Sequence, residues 1–351
     1  MPPVASRSFD YGQVETIVQD YYLPMIRNQI FFENALYYRL RKRAKMYSGG
    51  RAIVQGLSFS VEGGGGQWWA GLDRMDIRPR NTISAAVFYR KNYSVALTVM
   101  RDEEDSVRGP EKIASLVESK MNILRPTAVD AIGTALFNDG TDPKVIGGLD
   151  LVCEDTPDTS HTYGGITVSS TVNSWWRNQA DTTAYITGAN STFAGPRGFG
   201  PIGRMWSKIR RASGKSPTII VSNTGAQEDY HAALAGPGGA GTATMSGGQR
   251  YMQQDADLAR AGFDNVMYKT APWVVDERAP HSASNIEKVY FLHEPAINLC
   301  IHDARNMSFD GWYTPNDQRA RTGYIDFSGE LVCSERRCQG VLTNVDATLT
   351  S

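Results

Sequence analysis

Three clusters of residues approach the spacings of known catalytic motifs, and the surroundings break each one. Gly198-x-Gly200-x-x-Gly203 has the spacing of a turn that cradles a dinucleotide pyrophosphate at a helix N-terminus. That chemistry needs a strand before the turn and an acid closing the next strand. Ala194-Gly195-Pro196-Arg197 is not a strand, and Val221-Ser222 carries no acid. Gly214-Lys215-Ser216 is the end of a phosphate loop without its beginning. The required first glycine falls at Ile209, and the apolar run Thr218-Ile219-Ile220-Val221-Ser222 follows the motif instead of preceding it. His161, His231, His281, His293 and His302 are scattered, and His293-Glu294 runs into Pro295, which ends any metal-binding helix there. Cys333 and Cys338 are five apart while Cys153 and Cys300 stand alone, so no paired zinc spacing exists. The acidic run Asp102-Glu103-Glu104-Asp105 has ligand chemistry but reads as a solvated loop before a helix. The expectation is therefore no catalytic residue, no cofactor and no metal, with a composite active site from distant residues as the alternative.

Two other groups of side chains have chemistry suited to association. Trp68 and Trp69 follow four consecutive glycines, Gly63 to Gly66. Each indole buries about 150–250 Å² when covered, worth up to about 4–6 kcal/mol, so leaving both in water is costly. They either fold back onto their own domain or contact another subunit. Arg39, Arg41, Lys42, Arg43 and Lys45 crowd a segment, Glu33 to Met46, in which Leu36, Leu40 and Ala44 recur at helical spacing. At about 100° per residue the five charges surround most of that helix. A solvated helix and an arm against an acidic partner or nucleic acid both fit.

The elements that must carry these groups are legible in the hydrophobic pattern. Residues 51–62 alternate with Ile53, Leu57, Phe59 and Val61 on one face, and Thr82 to Met100 forms a second strand-like run. The segment between them is far longer than the usual loop of about four to six residues, which places Trp68-Trp69 at the tip of a long two-stranded arm. Glu111 to Phe137 is the strongest helix, with one apolar stripe running from Ile113 to Leu136. Gly109-Pro110 opens it and Asn138-Asp139-Gly140 closes it. Continuous, it spans about 40 Å. Pro126 in its interior removes a hydrogen bond and marks either a helix break or a flex point. Beyond Gly147, short strands, helices and glycine-rich turns mix without a regular strand–helix–strand repeat, which gives an α+β fold class.

Composition narrows the role. The 351 residues carry 36 Lys+Arg against 37 Asp+Glu, a net charge of -1 that excludes a histone-like wrapper of DNA. The longest apolar runs are about seven residues, well short of the roughly 18 that cross a bilayer, and Met1 to Gln13 shows no secretory pattern. Four cysteines do not make a disulfide scaffold and read as reduced cytoplasmic thiols.

Several segments in order resemble the major capsid proteins of tailed bacteriophages, the Hong Kong 97-like family. They are Asp139-Gly140-Thr141, Gly147-Gly148-Leu149, Gly164-Gly165-Ile166, Trp175-Trp176-Arg177-Asn178, the run Ser216 to Ser222, and the turn Ala261-Gly262-Phe263. The series closes with Ile301-His302-Asp303-Ala304-Arg305-Asn306-Met307, Gly329-Glu330-Leu331-Val332-Cys333-Ser334 and Gln339-Gly340-Val341-Leu342-Thr343-Asn344. The resemblance implies an N-terminal arm (1–50), an extended β-hairpin loop (51–92), a peripheral domain (93–150 and 297–335) with a spine helix (111–137), and an axial domain (151–296 and 336–351). It implies a non-enzymatic shell protein that self-assembles as pentamers and hexamers into an icosahedral virion capsid around double-stranded DNA, built in the host bacterial cytoplasm. Expected partners are the chain itself, the packaged DNA through non-specific contact, a separate scaffolding protein, a portal and a decoration protein, with no membrane. On this reading Trp68 and Trp69 are inter-subunit contacts and Arg39–Lys45 a basic arm near the inner surface. Pro126 becomes a flex point of the spine helix, and Trp175 and Trp176 are axial-domain core. Arginine outnumbers lysine 26 to 10, which suits ionic interfaces because the planar guanidinium pairs carboxylates bidentately. Some family members cross-link through a loop lysine; residues 51–90 contain none and only Lys91 stands at the base, so no such linkage is expected. An encapsulin-type nanocompartment shell, which resembles the same fold but encloses protein, is the runner-up.

Overall fold

The computed structural model describes residues 34–59, 68–74, 81–106, 120, 121, 124, 127, 128, 130–182, 200–235, 265–280, 286–316 and 318–346. They form an α+β architecture around two main sheets, with a separate two-stranded hairpin reaching out from them.

The hairpin consists of β2 (Ala52–Ser58) and β3 (Ile83–Tyr89), antiparallel and in register from Ala52 opposite Tyr89 to Ser58 opposite Ile83. The run expected from Thr82 to Met100 is two strands. At Arg90 the chain leaves β2 and continues as β4 (Lys91–Met100), which pairs instead with β13 (Ala320–Cys333). The first sheet has the order β1-β12-β13-β4, where β1 is Lys45–Tyr47 and β12 is Ile297–Tyr313. β1 corrects the expected helix from Glu33 to Met46. The helix spans only Ala35–Lys42, capped by the Asn34 side chain accepting from the Tyr37 N–H at 2.7 Å. Lys45–Tyr47 gains ladder bonds by running parallel to Cys300–His302 of β12, an option that helical periodicity does not reveal.

The second sheet has the order β7-β14-β11-β8-β10-β9, comprising Gln179–Asp181, Gly340–Asp346, Ile286–Leu292, Ile219–Ser222, Ala271–Val275 and Asn265–Tyr268. Its central strands are apolar on both faces, as a sheet covered on both sides requires. Ile220, Val289 and Phe291 face the helix Gly200–Ser213, whose Ile202, Met205, Trp206 and Ile209 recur at i, i+3, i+4 and i+7. Ile219, Val221, Tyr290 and Leu292 point the other way, into a larger core shared with the first sheet and the spine helix. That helix is described at residues 120, 121, 124, 127, 128 and 130–135, with Met121, Ala128 and Ile132 buried. Pro126 lies outside the described residues.

Two glycine motifs act by backbone approach. Gly148 brings its N–H to the Asn138 carbonyl (3.1 Å) just past the spine helix; a Cβ there would stand 2.2 Å from the Asn138 nitrogen and 2.7 Å from the Leu136 carbonyl oxygen. Gly164 and Gly165 both have positive φ (60° and 75°) and form the tight turn between β5 (His161–Tyr163) and β6 (Ile166–Val168). The acidic run at 102–105 is helical, part of Arg101–Ser106, and not the expected loop. Glu103 accepts from the Met100 N–H at 3.1 Å and pairs with Lys120 of the spine helix, contacts that hold its carboxyl below the usual range. Among the described residues no helix is long and apolar enough to cross a membrane.

Candidate functional site

The hairpin is anchored at its base and bare at its tip. Its inward face carries Leu57, Ala86 and Phe88, all buried. The Val87 N–H donates to the Gly164 carbonyl at 2.9 Å, and Gly164 has no room for a Cβ because Ala86 and Phe88 would lie 2.8 and 2.9 Å from it. Phe88 meets Tyr163 edge-on at 5.2 Å, and Phe59 stacks on Trp175 at 5.1 Å. At the far end a small turn is closed by Ala70 and Asp73, with the Ala70 N–H donating to the Asp73 carboxylate at 3.0 Å. Around that turn Trp68 is 98% exposed, Trp69 61% and Leu72 fully exposed. The indoles do not fold back onto their own domain.

The five basic residues do not form one patch. Arg39 points inward, where its guanidinium holds the buried Glu294 bidentately at 2.6 and 3.0 Å. Glu294 also accepts from the Thr218 hydroxyl at 3.2 Å, so Arg39 ties the N-terminal helix to the junction of β8, β11 and β12. Arg41 is half-buried beside Tyr37, whose phenol is pushed up to about 12 by burial against the opposing pull of Arg41. Lys42, Arg43 and Lys45 are exposed. The polar side of this segment thus divides into a structural clamp and a three-residue cationic edge.

Trp175 and Trp176 behave as core. Trp176 is buried, donates from its indole nitrogen to the Tyr163 carbonyl at 3.3 Å, and packs on Trp175 at 5.6 Å.

Two buried charges beside the hairpin base escaped the sequence reading. Arg336 is fully buried and lies 4.6 Å over the Tyr163 ring. It donates to the carbonyls of Val152 (2.9 Å) and Leu151 (3.2 Å), to Asn178 Oδ1 (3.3 Å), and meets His161 Nε2 at 3.0 Å. Burial lowers its pKa, opposed by Tyr163 and Cys333. It fastens the Trp175–Asn178 segment to the strand end of β13. Glu330 accepts the N–H of Gly147 at 2.8 Å and of Leu331 at 3.3 Å on one oxygen, while its other oxygen is buried without a hydrogen-bond partner. Burial raises this carboxyl to about 7. The signal for Glu330 existed, since it is an acid inside the apolar run Gly329 to Cys333; Arg336, in a polar turn, gave none. The four cysteines are free and buried.

No protein-family model matches the chain, and no curated protein sequence matches it. Solved structures do. The capsid asymmetric unit of cyanophage A-1(L) aligns with a TM-score of 0.62 at 17% identity, covering 90% of this chain and 92% of that one. The capsid of a native GTA particle aligns at 0.50 and 11% identity, covering 87% and 89%. The holo-SrpI encapsulin complex from Synechococcus elongatus PCC 7942 aligns at 0.52 and 9% identity, covering 89% and 88%. The chain therefore has the capsid-protein fold that the sequence resemblance implied, over nearly its whole length.

Proposed function

We propose that this chain is the major capsid protein of a tailed bacteriophage, a structural and non-enzymatic subunit. Copies of it assemble as pentamers and hexamers into the icosahedral head shell around double-stranded DNA. The observation that carries this reading is the hairpin, whose rigidly anchored base and two exposed indoles make an arm that only a neighbouring molecule can cover. A capsid fold spanning 90% of the chain supports it. The four-stranded sheet with the spine helix serves as the peripheral domain and the six-stranded sheet as the axial domain. A closed lattice multiplies individually modest heterologous contacts into a persistent shell. The cationic edge Lys42, Arg43 and Lys45 faces acidic partners or the genome. Scaffolding, portal and decoration proteins complete the assembly, which takes place in the host cytoplasm. The Lys91 ammonium, 2.5 Å from the Pro143 carbonyl, is held at the hairpin base, consistent with a shell lacking lysine cross-links at the loop tip.

An encapsulin-like compartment is the second reading, favoured by the SrpI alignment. Purifying particles from cells that carry the native partners and treating them with nuclease separates the two. Protected double-stranded DNA supports the phage shell. Particles with protein cargo and no protected DNA overturn it in favour of the second reading.

A further inference from the structure

A groove of about 740 Å³ opens between the C-terminal part of the spine helix and the start of β4. Its floor is apolar and includes Tyr93, Ile132, Ala135, Phe137, Ile146 and Phe327. Its rim carries Lys91, Lys144 and Arg278. Asp139, also on the rim, already accepts from the Thr141 N–H and hydroxyl, at 2.9 and 2.8 Å. The same chain thus exposes two apolar surfaces of opposite shape: this concavity and the projecting Trp68-Trp69-Leu72 turn.

We infer that the groove is the receptor for the hairpin tip of a second copy of this chain, with Trp68 and Trp69 seated on its floor and the exposed Asp73 against its cationic rim. The inference rests on the self-assembly reading above. A chain with its hairpin paired does not fill its own groove. The groove begins at Lys91, immediately after the paired base at Tyr89, whereas the tip lies beyond Ser58 and Ile83 at the other end of seven-residue strands. At about 3.3 Å per residue those strands hold tip and groove roughly 20 Å apart. The tip supplies flat, rigid aromatic side chains, the type that dominates interface energetics when seated in an apolar pocket. Its carboxylate complements the rim, which sets orientation. Knob and hole lie at different places on one chain, so the contact is heterologous and propagates from copy to copy around a ring instead of closing a dimer.

Paired cysteines in the full chain test this. The four native cysteines are buried and do not compete. Particles of a Trp69→Cys, Ala135→Cys variant are oxidised mildly and run on a non-reducing gel, with Trp69→Cys, Arg43→Cys as the control pair. The inference expects a ladder of covalent multimers from the first pair, mass-spectrometric assignment of the 69–135 linkage between chains, and no ladder from the control. Normal particles without the 69–135 linkage, or with Trp69→Cys joined elsewhere or the groove filled by another segment of the same chain, overturn the groove assignment and leave the assembly reading standing. Failure of the wild-type chain to assemble with its native partners overturns the assembly reading and the inference with it. A second variant, Ala135→Trp, fills the groove from inside. Its subunit is expected to keep the wild-type circular dichroism and melting behaviour while particle yield falls at least tenfold, and wild-type yield from a folded Ala135→Trp subunit overturns the inference.

Discussion

Glu330 makes the subunit less stable as pH rises through neutrality. Its carboxyl titrates near 4.5 in an unfolded chain and at about 7 in the fold, because burial disfavours the anion more strongly than the N–H groups of Gly147 and Leu331 and the nearby Lys91 favour it. Below pH 4.5 the group is protonated in both states, and its contribution to stability is fully present. Between 4.5 and 7 the unfolded chain releases the proton while the fold retains it, so stability falls steadily. Above 7 both states are ionised and the contribution is gone. At about 1.4 kcal/mol per pH unit, the loss across that window is about 3 kcal/mol. Asp276, raised by burial from 3.8 to about 6, acts with the same sign at lower pH, so the informative quantity is the difference between wild type and a Glu330→Gln variant. Gln keeps the carbonyl that accepts from Gly147 and cannot ionise. Urea unfolding followed by tryptophan fluorescence, from pH 4.5 to 8, should show the variant holding its stability above pH 6 while wild type declines. Parallel pH profiles for the two proteins would refute the reasoning, because they would mean that the buried carboxyl does not titrate in this range.

Other substitutions read other parts of the structure. Arg336→Met keeps the volume but leaves the carbonyls of Leu151 and Val152 without their donor; it should cost about 3–5 kcal/mol in urea unfolding, the range for breaking a buried charged network. Gly148→Ala forces a methyl group against the Asn138 backbone, which no side-chain rotation relieves, and should cost about 3 kcal/mol or abolish soluble expression. Trp68→Ala with Trp69→Ala removes side chains that touch little in the isolated subunit, so its melting temperature should shift by less than about 2 °C while assembly, read by sedimentation, is lost.

Much of this architecture was legible because periodicity and burial agree. The alternation from Ile53 to Phe59, the i, i+3, i+4 stripe of Ile202 to Ile209, and the apolar run Ile219–Val221 each have one stable solution, and the structure adopts it. The glycine motifs were visible as text but not as mechanism. Gly148 and Gly164 are small because a helix end and a strand of the hairpin pass against them, contacts that only the tertiary fold defines. Lys45–Tyr47 was misread for the complementary reason, since a three-residue strand has no period of its own and exists through its partner β12. The basic segment shows the limit for charge. Five cations read as one arm, yet Arg39 turns inward because Glu294, distant in sequence, is buried where it can accept both hydrogen bonds. The exposed Trp pair needed no long-range information, because an aromatic pair after four glycines at the end of a hairpin has little of its own chain within reach.

The most direct test of the central claim is electron microscopy of the purified full-length protein, alone and from a lysate containing its native partners. The account predicts rings, tubes or closed shells of regular lattice, with spherical particles when the partners are present. A uniform population of monomers in both samples would contradict it.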